Sequence, residues 1–322
     1  MTKFRQIGGP MLLIVLLYAL FASSFSLSKA ILQYTTPTFL VGTRMVIAGI
    51  ILLAYQYFSP REKFKVKKKH LWLFLQIILF GIYISYLLRF WGLKHMPSFK
   101  AAFIYNLSPF LSSYYSYLFF NERITKKQWL GLMIGFIGLL PVIMSSSASE
   151  QVLGEFAFIS WPELAIIGAV ILHSYSWIVV RKLVKDKSYS PMMVNGISMT
   201  CGGMLALGTS FATETITATP LVTHIKPFLI LLTAVILISN IICHNLYGFL
   251  LKKYSATFLS FAGFLSPLFT ALYGWLFLGE IITWHFYVSA AIVFIGLALF
   301  YQDEFKQRDQ FPPESGFEPD AV

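Results

Sequence analysis

The stretch LSPFLSSYYSYLFFNERIT at 107–125 returns as LSPLFTALYGWLFLGEIIT at 265–283. Leu107-Ser108-Pro109 pairs with Leu265-Ser266-Pro267, Tyr115 with Tyr273, Leu118-Phe119 with Leu276-Phe277, Glu122 with Glu280, and Ile124-Thr125 with Ile282-Thr283. Further out, Lys94 pairs with Lys252, Phe103 with Phe261, and Phe136-Ile137-Gly138 with Phe294-Ile295-Gly296; every pair is 158 positions apart, without a gap. Apolar segments share Leu and Phe by chance. Ser-Pro, Glu and Ile-Thr at one fixed offset mark an internal repeat.

Both copies lie in a chain of 322 residues that is 57% hydrophobic and 17% aromatic with only 12% charged residues, outside the range of a soluble globular domain. Apolar runs of about 20 residues recur along it, each long enough as a helix to cross a hydrocarbon core about 30 Å thick. Read from apolar length and from Gly, Pro and charge punctuation, spans fall near 10–32, 38–58, 71–93, 98–120, 127–145, 163–184, 191–213, 225–249, 256–278 and 283–301. The first, behind Lys3 and Arg5, lacks a small-residue cleavage site and reads as an uncleaved helix. Cys201 and Cys243 sit in apolar runs, with neither disulfide nor zinc spacing, and no metal or cofactor is expected. The tail over 303–322, with Pro312, Pro313 and Pro319, reads as disordered and cytoplasmic.

Sidedness follows from Lys and Arg, which cytoplasmic loops retain. With the N-terminus inside, 19 of the 25 basic residues fall on inner segments, among them the run from Arg61 to Lys69 and the set Arg181, Lys182, Lys185 and Lys187. This distribution accounts for the net charge of +11 as orientation and argues against nucleic-acid binding. Both termini are expected in the cytoplasm of a bacterial cell, the protein standing in the inner membrane as a monomer or homodimer with the lipid bilayer around it. The expected fold is an all-α membrane protein of ten transmembrane helices. Each copy of the repeat, 1–145 and 163–302, holds five spans, and an odd number inserts the second copy upside down. Two inverted five-helix repeats around a central cavity are a common way to build alternating access. The expected function is therefore the movement of a small polar metabolite. No nucleophile elbow, zinc-protease motif, P-loop or paired-carboxylate arrangement points to an enzyme.

In the first span, Phe21 is followed eight residues later by Lys29; Arg44 lies in the second span; and a Pro with a helix-end Glu occurs twice, as Pro109/Glu122 and Pro267/Glu280. In these features the chain resembles the ten-helix EamA family of the drug/metabolite transporter superfamily over roughly residues 10–302, with Phe21 and Ser24 where that family usually has Trp and Asn. The resemblance implies a basket in which spans 1–4 and 6–9 surround the cavity and spans 5 and 10 are peripheral. It also implies export or exchange of amino acids, nucleosides or related metabolites. Some members from intracellular bacteria carry S-adenosylmethionine in exchange for S-adenosylhomocysteine, which makes that pair a named candidate.

Strongly polar groups within a span normally face protein or a water-filled cavity. His173, midway along the sixth span, corresponds to Phe21 at an offset of 152, as Arg181 does to Lys29. It either touches substrate or is satisfied by a neighbouring helix. Asn240 and His244 share a face of the eighth span, and Tyr83 and Tyr86 occupy the related part of the third, with Tyr86 paired to His244 by the repeat. Asn240 serves equally well as an interhelical hydrogen-bonding group. Tyr105 and Asn106 precede Pro109, so they line the cavity, repair the bend, or both. Aromatic residues within spans, including Trp177, would favour a planar or cationic ligand. Lys29 either contributes to the site or snorkels to headgroups, and Arg44, two turns into its span, is placed to bind a carboxylate. Glu122 and Glu280 are read as fixing helix ends. All 14 carboxylates lie in loops, tails or helix ends, which favours counter-exchange over proton or sodium coupling; His173 and His244 are the midspan groups able to titrate near neutral pH.

Overall fold

The computed structural model describes residues 2–58, 66–121, 125–143, 153–156, 159–214, 221–252, 254, 259 and 262–310. The helices are α1 (Thr2–Ile31), α2 (Pro37–Phe58), α3 (Lys68–His95), α4 (Ser98–Ile104 and Ser108–Phe120, joined by a 3-10 turn), α5 (Lys126–Ile143), α6 (Trp161–Asp186), α7 (Pro191–Thr213), α8 (Ile225–Leu250), α9 (Gly263–Leu278) and α10 (Trp284–Gln310). Of these, α1 from Leu12 onward, α2, α3, α6 and α8 are long and apolar enough to cross a membrane, and α9 and Trp284–Gly296 are shorter apolar helices. The chain is an all-α, multi-pass membrane protein with a short antiparallel pair, β1 (Glu155–Phe156) with β2 (Ile159–Ser160), before α6. Helix α10 runs through 303–310, where disorder is expected, because its prolines come only from 312 on; residues 311–322, like Glu122, lie outside those described.

Between α2 and α7 the packing is set by glycine. A Cβ at Gly49 would stand 2.5 Å from the Thr200 backbone nitrogen, and one at Gly203 would stand 2.7 Å from that of Val46. Gly42 faces Leu207 at 2.6 Å and Gly196 faces Leu53 at 2.9 Å in the same sense. Gly138 and Gly296 do the same for α5 against α10, at 3.0 Å from the Val293 nitrogen and 2.8 Å from that of Gly135. Between helices in lipid, where apolar burial gives little net drive, such close backbone approach supplies the dispersion contact that holds a pair together.

The helix ends are tied by polar contacts. At one face, Thr35 bridges Val222, the Thr223 N–H donates to the Tyr34 carbonyl at 2.9 Å, and Lys100 pairs with Glu163 at 2.8 Å with both side chains 1% exposed. There too the backbone N–H and hydroxyl of Ser98 donate to the Glu280 carboxylate at 2.7 Å each, so this acid caps the N-terminus of α4 and fixes a helix end. At the other face, the Tyr189 hydroxyl accepts the Lys67 N–H at 3.0 Å and meets His70 Nδ1 at 2.9 Å. Two large apolar clusters fill the interior, one around Met45 and Phe90 and one around Leu17 and Trp177.

Candidate functional site

A cavity of about 90 Å³ lies where those two clusters meet. Its wall is mainly aromatic. Helix α1 contributes Tyr18, Phe21 and Phe25, spaced three and four residues apart and so on one face; α3 contributes Tyr86, α4 Tyr105, α6 His173 and Trp177, and α8 His244 and Tyr247. Polar additions come from Arg89, Asn106, Ser108 and Ser266.

Local backbone irregularity positions several of these groups. Pro109 and Pro267 lack an N–H and their rings crowd the carbonyls four residues earlier, at Tyr105 and Gly263. In both helices the chain responds with a 3-10 turn, Tyr105–Leu107 and Gly263–Leu265, in which the N–H of Ser108 or Ser266 closes on that carbonyl. Two π-helical segments, Ile77–Tyr83 in α3 and Ile236–Cys243 in α8, widen the helix and present carbonyls to the site. The Gly81 carbonyl faces His173 Nδ1 at 3.4 Å, and the Ser239 carbonyl faces His244 Nδ1 at 2.6 Å.

These contacts assign the imidazole tautomers. A carbonyl only accepts, so Nδ1 of each ring carries the proton, and each Nε2 is left as an acceptor. The indole N–H of Trp177 donates to His173 Nε2 at 2.9 Å, and the hydroxyl of Tyr86 donates to His244 Nε2 at 2.7 Å. Both histidines are thereby neutral and held at fixed angles. Edge-to-face packing reinforces them: Tyr86 lies 5.8 Å from His173 at 72°, and Phe21 lies 5.6 Å from His244, also at 72°.

Seven of the residues expected at the site line the cavity: Phe21, Tyr86, Tyr105, Asn106, His173, Trp177 and His244. Four do not. Arg44 is wholly buried beside the cavity, where Nε donates to Asn240 Oδ1 at 2.6 Å and the terminal nitrogens donate to Ser28 and Ser239 at 3.3 and 2.7 Å. Its fork clamps α1, α2 and α8, and Asn240 is spent on that clamp. Tyr83 meets the Thr209 hydroxyl at 2.7 Å on α7. Lys29 donates to the carbonyls of Leu93 and Met96 at 2.9 and 2.6 Å, covering the C-terminal end of α3 as helix-end cations do.

Sequence reasoning left Phe25, Arg89 and Tyr247 out of the site, and Tyr18, an aromatic within a span, lines it as well. Arg89 stacks its guanidinium carbon 4.1 Å from the Phe25 ring centroid and 4.9 Å from that of Tyr105. Across the cavity the rings of Trp177 and Tyr247 stand 4.3 Å apart. The repeat held the signal: Arg89 and Tyr247 differ by 158, as Tyr86 and His244 do, so pairing one implicates the other.

Comparison with known proteins agrees with this architecture. A crystal structure of a protein 16% identical in sequence superposes with a TM-score of 0.66 over 92% of this chain and 96% of its own, which shows a shared fold. A protein of Chlamydia muridarum named S-adenosylmethionine/S-adenosylhomocysteine transporter is 34% identical over 290 residues, 89% of this chain and 90% of that protein. A protein of the same name in Chlamydia trachomatis serovar L2 is 34% identical over 289 residues, 89% of this chain and 88% of that one. The profile of the EamA-like transporter family matches twice, over 9–144 and 160–302, and with an all-α, multi-pass architecture behind both matches the chain belongs to that family.

Proposed function

We propose that this transporter carries S-adenosylmethionine across the bacterial inner membrane in exchange for S-adenosylhomocysteine, through the aromatic cavity. The observation that carries this reading is the cavity wall: aromatic rings from α1, α3, α4, α6 and α8 around one cavity. A flat adenine gains from stacking on such faces, and a sulfonium gains about 0.5–2 kcal/mol from each well-placed ring. The chlamydial relatives carry that substrate pair in their names. No described lining residue is a carboxylate that would hold a coupling proton or sodium ion. Exchange, in which each substrate returns the empty carrier for the other, needs none.

The mechanism is alternating access by two inverted five-helix halves, 1–145 and 163–302, crossing the membrane ten times with both termini in the cytoplasm. Its support is a two-fold relation among contacts. The Gly49–Thr200 approach has its mate in Gly203–Val46, and Gly42–Leu207 has its mate in Gly196–Leu53, each residue shifting by 154. Gly138–Val293 and Gly296–Gly135 exchange under a shift of 158. The Tyr86–His244 hydrogen bond joins two residues that are themselves repeat mates, so it lies on the pseudo-axis. Phe21–His244 and His173–Tyr86 are likewise one contact seen from the two halves.

The test is uptake of radiolabelled S-adenosylmethionine by proteoliposomes containing the purified chain, with and without internal S-adenosylhomocysteine. Uptake stimulated several-fold by the internal substrate is expected. Equal uptake from empty vesicles would overturn exchange, and indifference to S-adenosylmethionine alongside uptake of amino acids or nucleosides would overturn the substrate. A gradient built by a proton jump alone would overturn the coupling.

A further inference from the structure

We infer that Arg89 is the specificity residue that takes the carboxylate of the substrate, so that the cavity has an anion-binding end and an aromatic end and holds its ligand in one orientation. The inference rests on the transport reading and narrows the substrate class to molecules that join a flat ring to an amino-acid group.

Arg89 is 6% exposed, its Nε is buried without a hydrogen-bond partner, and it is the charged member of the described cavity wall. The described carboxylates of the helix-end network are engaged elsewhere: Glu163 with Lys100, Glu280 with Ser98, and Glu214 with Thr36 and Ser210. A guanidinium carries its N–H donors in its own plane, where a carboxylate oxygen meets them coplanar. A cation held out of water without an anion is costly, so a ligand that brings the anion removes that cost on binding.

The two halves then differ at the positions that matter. Phe25 and Arg89 in the first half correspond to Trp177 and Tyr247 in the second, at offsets of 152 and 158. A cation on a ring faces a pair of rings 4.3 Å apart. Between the ends run Tyr86, 5.6 Å from the Arg89 guanidinium, and His244, 5.8 Å from Trp177. Near-symmetry of the helices with asymmetry of these four side chains suits a ligand with an anionic group at one end and a flat ring at the other.

The test is calorimetric binding to the detergent-purified full chain, with three probes: S-adenosylmethionine, its decarboxylated analogue, and 5′-methylthioadenosine, which lacks the whole amino-acid group. For the unmodified chain the two compounds without a carboxylate are expected to bind at least about tenfold more weakly, the change that loss of a charge-assisted hydrogen bond brings. Arg89→Gln should weaken S-adenosylmethionine by a similar factor and leave the carboxylate-free probes within about threefold of their original affinity. Arg89→Lys, which keeps the charge and loses the fork, should fall between. Equal affinity of the unmodified chain for the amino acid and its decarboxylated analogue overturns the inference, and so does an Arg89→Gln protein that still discriminates tenfold. Because the first comparison needs no variant, a misfolded substitution leaves the inference exposed to refutation. Carboxylate-dependent binding without vesicle uptake would sink the transport reading and leave Arg89 in its role.

Discussion

Tyr86 gives its one hydroxyl proton to His244 Nε2. Tyr86→Phe therefore leaves a buried acceptor unpaired, at about 1–3 kcal/mol, and frees the imidazole to turn. Uptake by the variant should fall at least several-fold while its amount in the membrane fraction stays within a factor of two, as vesicle transport and immunoblotting would check. His173→Ala removes both a wall of the cavity and the acceptor for Trp177, and should also impair uptake without blocking insertion. Arg44→Ala belongs to a different class. The loss of three charge-assisted bonds across α1, α2 and α8 should destabilise the protein by about 3 kcal/mol or more, seen as a lowered unfolding midpoint in detergent, and Arg44→Lys should not restore it. At this scale the sequence was a partial guide. It placed Arg44 in the site to bind a carboxylate because an arginine within a span faces protein or a cavity, yet the choice between cavity and clamp depends on α8 delivering Asn240 to its fork. Arg89 was legible only as a charge within a span, since the ring faces that hold it come from α1 and α4.

Helix pairs meet through the absence of side chains. An added methyl at Gly49 would overlap the Thr200 backbone, which cannot turn away as a side chain could, so Gly49→Ala should cost about 1–3 kcal/mol as overpacking. Gly208 on the same α2–α7 layer has nothing within 4 Å, and Gly208→Ala should leave stability unchanged or raise it slightly. Thermal unfolding of the two variants side by side distinguishes a packing role from mere helix propensity; equal midpoints would refute it. The ends of α2, α3, α7 and α8 fall within a few residues of those expected, because apolar length is a property of contiguous sequence. The π-helical segments of α3 and α8 were not foreseen. One extra residue in a turn leaves the hydropathy of a span unaltered, and here the carbonyls of these segments face the rings of His173 and His244.

For the molecule as a whole, alternating access requires the contacts at one face to part. Thr35 and Val222 form an isolated antiparallel bridge between the α1–α2 and α7–α8 links, and paired cysteines at such positions lie close enough to join. With the exposed Cys201 replaced by Ser, a Thr35→Cys/Val222→Cys protein should transport when reduced and stall when oxidised, with recovery on adding reductant. Transport at an unchanged rate in the oxidised form would mean that this face does not open. The sequence by itself determined that the chain crosses a membrane many times, that it repeats itself, and that it resembles a family of carriers, since hydropathy, charge bias and repeat spacing are carried by residues close together in the chain. The tertiary structure alone decided which polar side chains share a cavity and which are spent on clamps and caps. That choice turns on contacts across as many as 248 positions, such as Thr270 with the Ala22 carbonyl, and on a rotation of each helix about its own axis that no local pattern in an all-apolar span can fix.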